Sequence, residues 1–276
     1  MQRDIKAIVV AHKMDSTRRE LYVEGRRDRF FFVWLLGPTR SADALVQEIE
    51  GVDMQPPKYG GHRAKVLKFA AEIEPYNVAI RCFVDADFAR LTNDPAPANV
   101  WFTDLRDLEG YFLQLPCIEK VLQLGVVSEK ITANRVLKNV IDVTKPLGLL
   151  RYLSHTENLQ LPFQDQSIKR YLKKNGDEVV LDIDRYLRAL LQGAKISLRC
   201  LAEIKRKLAT LEEDFRRTPH FQLVHGKDCV AVLTELLKCD NLKEDAVEPS
   251  FWTSLERDFL QRFTNLQAAL TFLQAA

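Results

Sequence analysis

Apolar runs that stop abruptly at carboxylates mark the first third of this chain. Leu21-Tyr22-Val23 ends in Glu24-Gly25-Arg26-Arg27-Asp28, and sixty residues later Ile80-Arg81-Cys82-Phe83-Val84 ends in Asp85-Ala86-Asp87. Short runs rich in apolar and β-branched residues predict buried strands. The first strand is expected at 20–24 and a central one at 77–88. A third, 99–103, also ends in acid, at Thr103-Asp104. Between them the period turns helical. Residues 1–19 read as an amphipathic helix with a polar end. Residues 26–36 carry Phe30, Phe31, Val33, Trp34 and Leu35 and stop at Gly37-Pro38. A second strand is placed near 44–49. A Pro/Gly loop covers 53–61, and Gly60-Gly61-His62-Arg63 opens a helix to about Glu74. From Asp107 the pattern is helical again, with Leu108, Tyr111, Phe112 and Leu115 on one face.

Strands that alternate with helices predict a largely parallel sheet with helices on it. After Pro116 the reading changes. Segments near 117–125, 128–142, 183–192, 195–217, 228–239 and 249–274 are helical by period. Asn175-Gly176-Asp177 is a turn, and 179–181 and 221–224 are candidate short strands. The expected organisation is an α/β domain over 1–116 and a mainly α-helical domain over 117–276. No internal repeat or low-complexity tract interrupts it.

Open α/β sheets bind ligands at the carboxyl ends of their strands. Two strands should therefore deliver Glu24, Asp85 and Asp87 to one sheet edge. Alternation along a strand would point Asp85 and Asp87 to the same side. Adjacent carboxylates repel unless a cation or proton separates them, and clustered hard oxygens suit Mg²⁺ or Mn²⁺. No Cys/His spacing suits zinc.

Composition adds limits. The 276 residues are 46% hydrophobic and 28% charged, with a net charge of +2. There is no global basic signature, so contact with nucleic acid would need a local patch or metals. No apolar run approaches the roughly 20 residues of a membrane span. Ala7-Ile8-Val9-Val10-Ala11 is too short for a signal-peptide core. Five scattered cysteines read as reduced thiols in a cytoplasmic protein, mostly packing. No phosphate-binding Gly-x-x-x-x-Gly-Lys-Ser/Thr stretch is present, so any ATPase function would belong to another protein.

The motifs Val23-Glu24-Gly25-x-x-Asp28, Val84-Asp85-x-Asp87 and Thr103-Asp104-x-x-Asp107-Leu108-Glu109-x-Tyr111 together resemble the TOPRIM family. That family includes topoisomerases, primases and the overcoming-lysogenization-defect nucleases. The third motif looks most like the branch encoded beside ABC-type ATPases, which includes the toxin subunit of PARIS-type anti-phage systems. The motifs cover roughly the first 115 residues. The resemblance implies a TOPRIM-like sheet and metal-dependent attack on a phosphodiester. It implies Glu24 as general acid/base or metal ligand, Asp85 and Asp87 as a metal pair, and Glu109 as completing a second metal site. Two such ions stand about 4 Å apart and clamp the attacking and leaving oxygens. The implied partners are a nucleic acid, DNA or tRNA, and a separate ABC-type ATPase that restrains a toxin. Oligomeric state is left open between monomer and homodimer.

Each residue has a plainer reading. Glu24 is otherwise a strand-end glutamate facing water, although Gly25 suits a tight strand-to-helix turn. Asp85 and Asp87 can cap a loop. Glu109 can sit in a first helical turn, favoured by the dipole, with Asp107 as N-cap. Asp28 either orients a metal-bound water or caps its helix. Arg26, Arg27 and Arg29 contact phosphates or form a solvated face. His225-Gly226-Lys227-Asp228 resembles a late motif of the same branch, with Lys227 offering charge to a leaving phosphate. Its plainer reading has Asp228 capping a helix and His225 packing. His62 and His155 carry no motif context. Lys169-Arg170, Lys173-Lys174, Lys205-Arg206-Lys207 and Arg216-Arg217 can track nucleic acid, although interleaved acids favour ordinary exposed helix. The rival to a nuclease is a non-catalytic docking or oligomerisation module with a relic site.

Overall fold

The computed structural model describes residues 2–37, 44–54, 61–126, 131–239 and 241–275. Pro38, the loop residues 55–60 with Gly60, and residues 128–130 of the expected second-half helix lie outside the described residues. The chain forms two units. The first is Met1–Leu108 with Glu256–Ala276, and the second is Glu109–Leu255.

In the first unit, β1 (Arg19–Val23), β2 (Ala44–Glu48), β3 (Ile80–Val84) and β4 (Val100–Phe102) form an all-parallel sheet in the order β2-β1-β3-β4. Parallel strands need crossovers. The helices α2 (Arg26–Leu36) and α3 (Gly61–Ile73) lie in the β1–β2 and β2–β3 connections, and the short α4 (Ala89–Thr92) lies between β3 and β4. The order reverses between β1 and β3: the chain leaves β1 for β2 on one side and returns to β3 on the other. That makes the gap between β1 and β3 the topological switch point, where such sheets leave a crevice.

Each face of the sheet has its own apolar cover. Ile8 and Val9 of α1 (Ile5–Met14) and Val66, Phe69, Ala70 and Ile73 of α3 cluster with Tyr22, Ile80, Cys82, Val84 and Val100. Tyr22 and Phe69 rings stand 4.4 Å apart. Alternation along the strand sends Phe83 the other way, against Phe32 of α2 at 4.9 Å. Trp101 meets Phe272 of α13 (Thr264–Gln274), which follows the short helix α12 (Arg257–Leu260), at 5.9 Å.

This last helix separates the observed units from the boundary expected at 116. Asp104 accepts the backbone N–H groups of Asn265 at 2.9 Å and Leu266 at 3.0 Å. Asn265 Nδ2 donates to the Phe102 carbonyl at 2.8 Å. The first N–H groups of a helix have no partner within it. A carboxylate at the end of β4 supplies one for α13, so the last segment of the chain belongs to the sheet unit.

At the amino end of β1, Glu20 is fully buried. Arg3 forks onto its two oxygens at 3.0 and 3.1 Å, Tyr22 donates at 2.6 Å, and Arg18 Nε donates at 2.7 Å. His12 Nε2 stands 3.8 Å away. Burial alone would push this carboxyl up, but these donors outweigh it and hold it well below the usual carboxylate range.

The second unit contains α5 (Leu115–Val121), α6 (Ala133–Thr156), α7 (Ile183–Gly193), α8 (Leu201–Asp214), α9 (His220–Leu223), α10 (Gly226–Leu237) and α11 (Glu244–Ser254). A hairpin of β5 (Leu172–Asn175) and β6 (Glu178–Leu181) turns at Gly176-Asp177, with Gly176 at φ +60°. Two expectations are corrected here. Residues 220–223 form a short helix instead of a strand, because Pro219 opens a turn that Val224 N–H closes on the His220 carbonyl at 2.9 Å. Four apolar residues are too few to separate the two periods. The helix expected to end near 142 continues through Pro146 to Thr156. It packs along α8, α9 and α10, and a Cβ on Gly148 would meet the Leu223 carbonyl oxygen at 2.9 Å. That packing outweighs the single backbone bond proline removes.

Among the described residues, no helix is long and apolar enough to cross a membrane. None of the five cysteines forms a disulfide. Cys82, Cys117 and Cys229 are buried, and burial pushes the Cys82 thiol well above its ordinary value, so it is an inert packing group.

Candidate active site

The carboxyl edge of the sheet brings Glu24 and Asp85 together. Val23 pairs with Phe83 across β1 and β3, so both chains leave the sheet side by side. Glu24 Oε1 accepts the backbone N–H of Asp85 at 3.0 Å. Gly25 is the N-cap of α2, and its N–H donates to Asp28 Oδ2 at 2.9 Å. Asp28 thus caps its own helix while placing a second negative charge near Glu24.

The central strand is shorter than the sequence predicts. It ends at Val84; Asp85 and Ala86 leave it as irregular backbone, and Asp87 opens a turn that the Ala89 N–H closes on the Ala86 carbonyl at 2.9 Å. Asp87 has φ +48°, a left-handed conformation that aspartate tolerates better than most residues. Strand alternation therefore does not set the relation of Asp85 to Asp87. The third motif holds the turn instead. Thr103 Oγ1 accepts Ala86 N–H at 2.8 Å, the Arg106 carbonyl accepts Asp87 N–H at 2.8 Å, and Asp85 Oδ1 accepts Leu108 N–H at 3.1 Å. Three successive residues of the acidic turn are thereby tied to 103–108.

Arg63, in the first turn of α3, supplies the cation. Its Nε donates to the Asp85 carbonyl at 2.9 Å and stands 3.4 Å from Asp87 Oδ2. Its guanidinium lies 5.5 Å from the Phe102 ring centre. Sequence reasoning assigned no role to Arg63 or Thr103. The Gly60-Gly61-His62-Arg63 stretch pointed to backbone N–H groups, whereas the side chain that reaches the turn is the arginine. His62 instead faces Glu50 at 3.1 Å.

Burial pushes the Glu24 carboxyl up to about 7. The Asp85 N–H opposes that, the negative charges of Asp28 and Asp87 add to it, and the Arg63 charge partly offsets them. A carboxyl that titrates near neutrality can take or give a proton at physiological pH. Such a perturbed group at a sheet switch point has the character of a functional site.

The donors fit a hard divalent cation in kind: carboxylate oxygens, one of them destabilised as an anion. Among the described residues, however, no three His, Cys, Asp or Glu side chains are gathered closely enough to hold a metal ion. The right donors reach one edge without forming a closed ligand set.

The other expected residues fall elsewhere. Asp107 is buried just before a 3₁₀ turn, Leu108–Tyr111, that stands where an α-helix was expected. Glu109 is buried and is the first residue of the second unit. Asp104 is engaged in capping α13. In the second unit Lys227 is exposed and His225 sits at the start of α10. Asp228 is not a helix cap. It accepts both arms of Arg151, at 2.8 and 2.9 Å, and Arg151 stacks on Phe163 at 4.3 Å. Several members of the basic clusters are neutralised there: Lys169 by Glu244 at 2.7 Å, Lys205 by Asp184 at 2.6 Å, and Lys207 by Glu157 at 2.8 Å.

A scan against models of known families finds no match, and neither does a search of curated proteins.

Proposed function

We propose that this chain is a metal-dependent nuclease of TOPRIM type. The observation that carries the reading is Glu24, a carboxyl raised to about 7 at the sheet switch point beside the Asp85–Asp87 turn. The motif resemblance of the same three stretches supports it. On the resemblance, Glu24, Asp85 and Asp87 would have to be drawn closer together than they stand here to hold Mg²⁺ or Mn²⁺, and the ion would then supply charge stabilisation to a phosphodiester under attack. Glu24 holds or accepts the proton of the attacking water at its other oxygen, since Oε1 is engaged by the Asp85 N–H. Arg63 positions Asp85 through its carbonyl and offers a donor to a phosphate oxygen. The resemblance further suggests a toxin or effector restrained by a separate ABC-type ATPase, with tRNA or DNA as target.

The test is incubation of the purified chain with total tRNA, total RNA and plasmid DNA in Mg²⁺, Mn²⁺ or EDTA, beside Glu24→Gln and Asp85→Asn proteins. Metal-dependent cutting lost in both variants is expected. Cutting retained in EDTA or in Glu24→Gln overturns the reading. If no substrate is cut even with a co-expressed ATPase, the chain is a docking module.

A further inference from the structure

The helix that begins two residues beyond Glu24 carries a surface the proposed chemistry does not use. Arg26, Arg27, Phe30 and Trp34 of α2 are exposed, while Phe31, Phe32, Leu35 and Leu36 are buried. At 100° per residue, positions 26, 27, 30 and 34 fall within about one quadrant of the helix. They form a stripe about 12 Å long that starts beside the candidate site. Phe30 is 50% exposed and Trp34 is 40% exposed, large for aromatic side chains.

Cations bracket both rings. Arg26 lies 5.2 Å from the Phe30 ring centre, and Arg29 lies 5.9 Å from it. Arg257 lies 5.6 Å from the Trp34 ring and donates to the Trp34 carbonyl. The only acid of α2 is Asp28, which is turned back onto the Gly25 N–H. α2 itself places no carboxylate on this stripe, which alternates basic and aromatic side chains, and Arg29 at its edge is paired with Glu48 at 3.7 Å. An apolar protein segment would bring no anion to Arg26 or Arg257. A duplex presents phosphates but keeps its base faces stacked. An unpaired strand supplies both a phosphate for each arginine and a base face for each ring.

We propose that the exposed face of α2 is a single-strand binding track, with unpaired bases stacking on Phe30 and Trp34 and phosphates on Arg26 and Arg257. The track rests on the nuclease reading for its purpose, since it leads an unpaired strand to Glu24. Its chemistry stands without catalysis and can be measured without it.

The experiment is equilibrium binding of labelled single-stranded DNA, single-stranded RNA, the matched duplex and heparin, in EDTA so that no strand is cut. The wild type is expected to prefer single strands to duplex and to heparin. Phe30→Ala and Trp34→Ala should each weaken single-strand binding about tenfold, whereas Phe30→Tyr should retain it. Arg26→Glu should weaken binding and lower its salt dependence. Strand binding should quench part of the tryptophan fluorescence, and that part should vanish in Trp34→Phe, which keeps Trp101 and Trp252. Unchanged single-strand affinity in the Phe30→Ala/Trp34→Ala double variant, with an unchanged melting temperature, overturns the track. So does an equal loss for heparin, which would mean charge alone, or a wild type that binds no nucleic acid. A double variant that still cuts and binds as wild type removes the track and leaves the nuclease. Strand binding through these residues without cutting in any metal removes the nuclease and leaves the track.

Discussion

The Glu24 carboxylate accepts the backbone N–H of Asp85 at 3.0 Å, across two parallel strands that are neighbours in space and sixty residues apart in the chain. This bond aims Glu24 at the acidic turn and leaves it largely buried among like charges. Its position is electrostatically costly, and the cost depends on pH.

Glu24 titrates at about 7 in the fold, against about 4.3 in an unfolded chain. Between those values the native state binds the extra proton, so stability falls as pH rises from about 4.3 through 7. The penalty is on the order of 1–3 kcal/mol above pH 7 after allowance for solvent screening. Glu24→Gln keeps an oxygen for the Asp85 N–H and cannot ionise. It should melt several degrees higher than wild type at pH 8 and nearly equally at pH 4.5. A thermal melt at both values checks this. A variant less stable at pH 8 would contradict it.

Arg63 tempers the charge on Glu24 and fixes the Asp85 carbonyl. In the proposed nuclease, Arg63→Gln should therefore raise the Glu24 titration further, moving the rising limb of the pH–rate profile to higher pH and lowering kcat. Arg63→Lys should restore the limb more fully than the rate, because an ammonium keeps the charge but not the guanidinium geometry. A fall in rate with the limb unmoved would confine Arg63 to substrate contact.

Asp104 separates structure from chemistry within the third motif. Its two bonds to the start of α13 predict that Asp104→Ala lowers stability by about 1–2 kcal/mol. Asp104→Asn, with one acceptor oxygen, should recover part of that. Urea unfolding reads both. If Asp104→Ala unfolds like wild type but loses all metal-dependent activity, the residue is a ligand and not a cap.

In the second unit Asp228 is a buried ion-pair partner. Removing one member of such a pair leaves an uncompensated buried charge, so Asp228→Ala should cost about 3–5 kcal/mol. The double variant Arg151→Met/Asp228→Leu should regain most of it. Chemical denaturation of the three proteins checks the cycle, and equal losses in the single and double variants would contradict it.

Much of the sheet unit was legible in the residues. Short apolar runs ending in acid mark β1, β3 and β4 correctly because strand burial is a local pattern. The helical period found α2 and α3 for the same reason. The Asn175-Gly176-Asp177 turn was legible because glycine alone takes its left-handed backbone without strain. Strand ends were less so: the run continues to Phe88, yet β3 stops at Val84, where Thr103 and Arg106 capture the next N–H groups.

The sequence by itself determined which side chains stand at strand ends, because alternation and period are carried by neighbouring residues. It determined the α/β character and the acidic edge for that reason. Only the tertiary structure decided that β1 lies beside β3, which makes a site of Glu24 and Asp85. It alone decided that Arg63 supplies the cation, that Asp104 caps a helix 161 residues on, and that Asp228 pairs with Arg151 across 77 residues. The physical reason is common to all four. A carboxylate or N–H seeks whichever partner folding brings within about 3 Å, and no local pattern records which one that is.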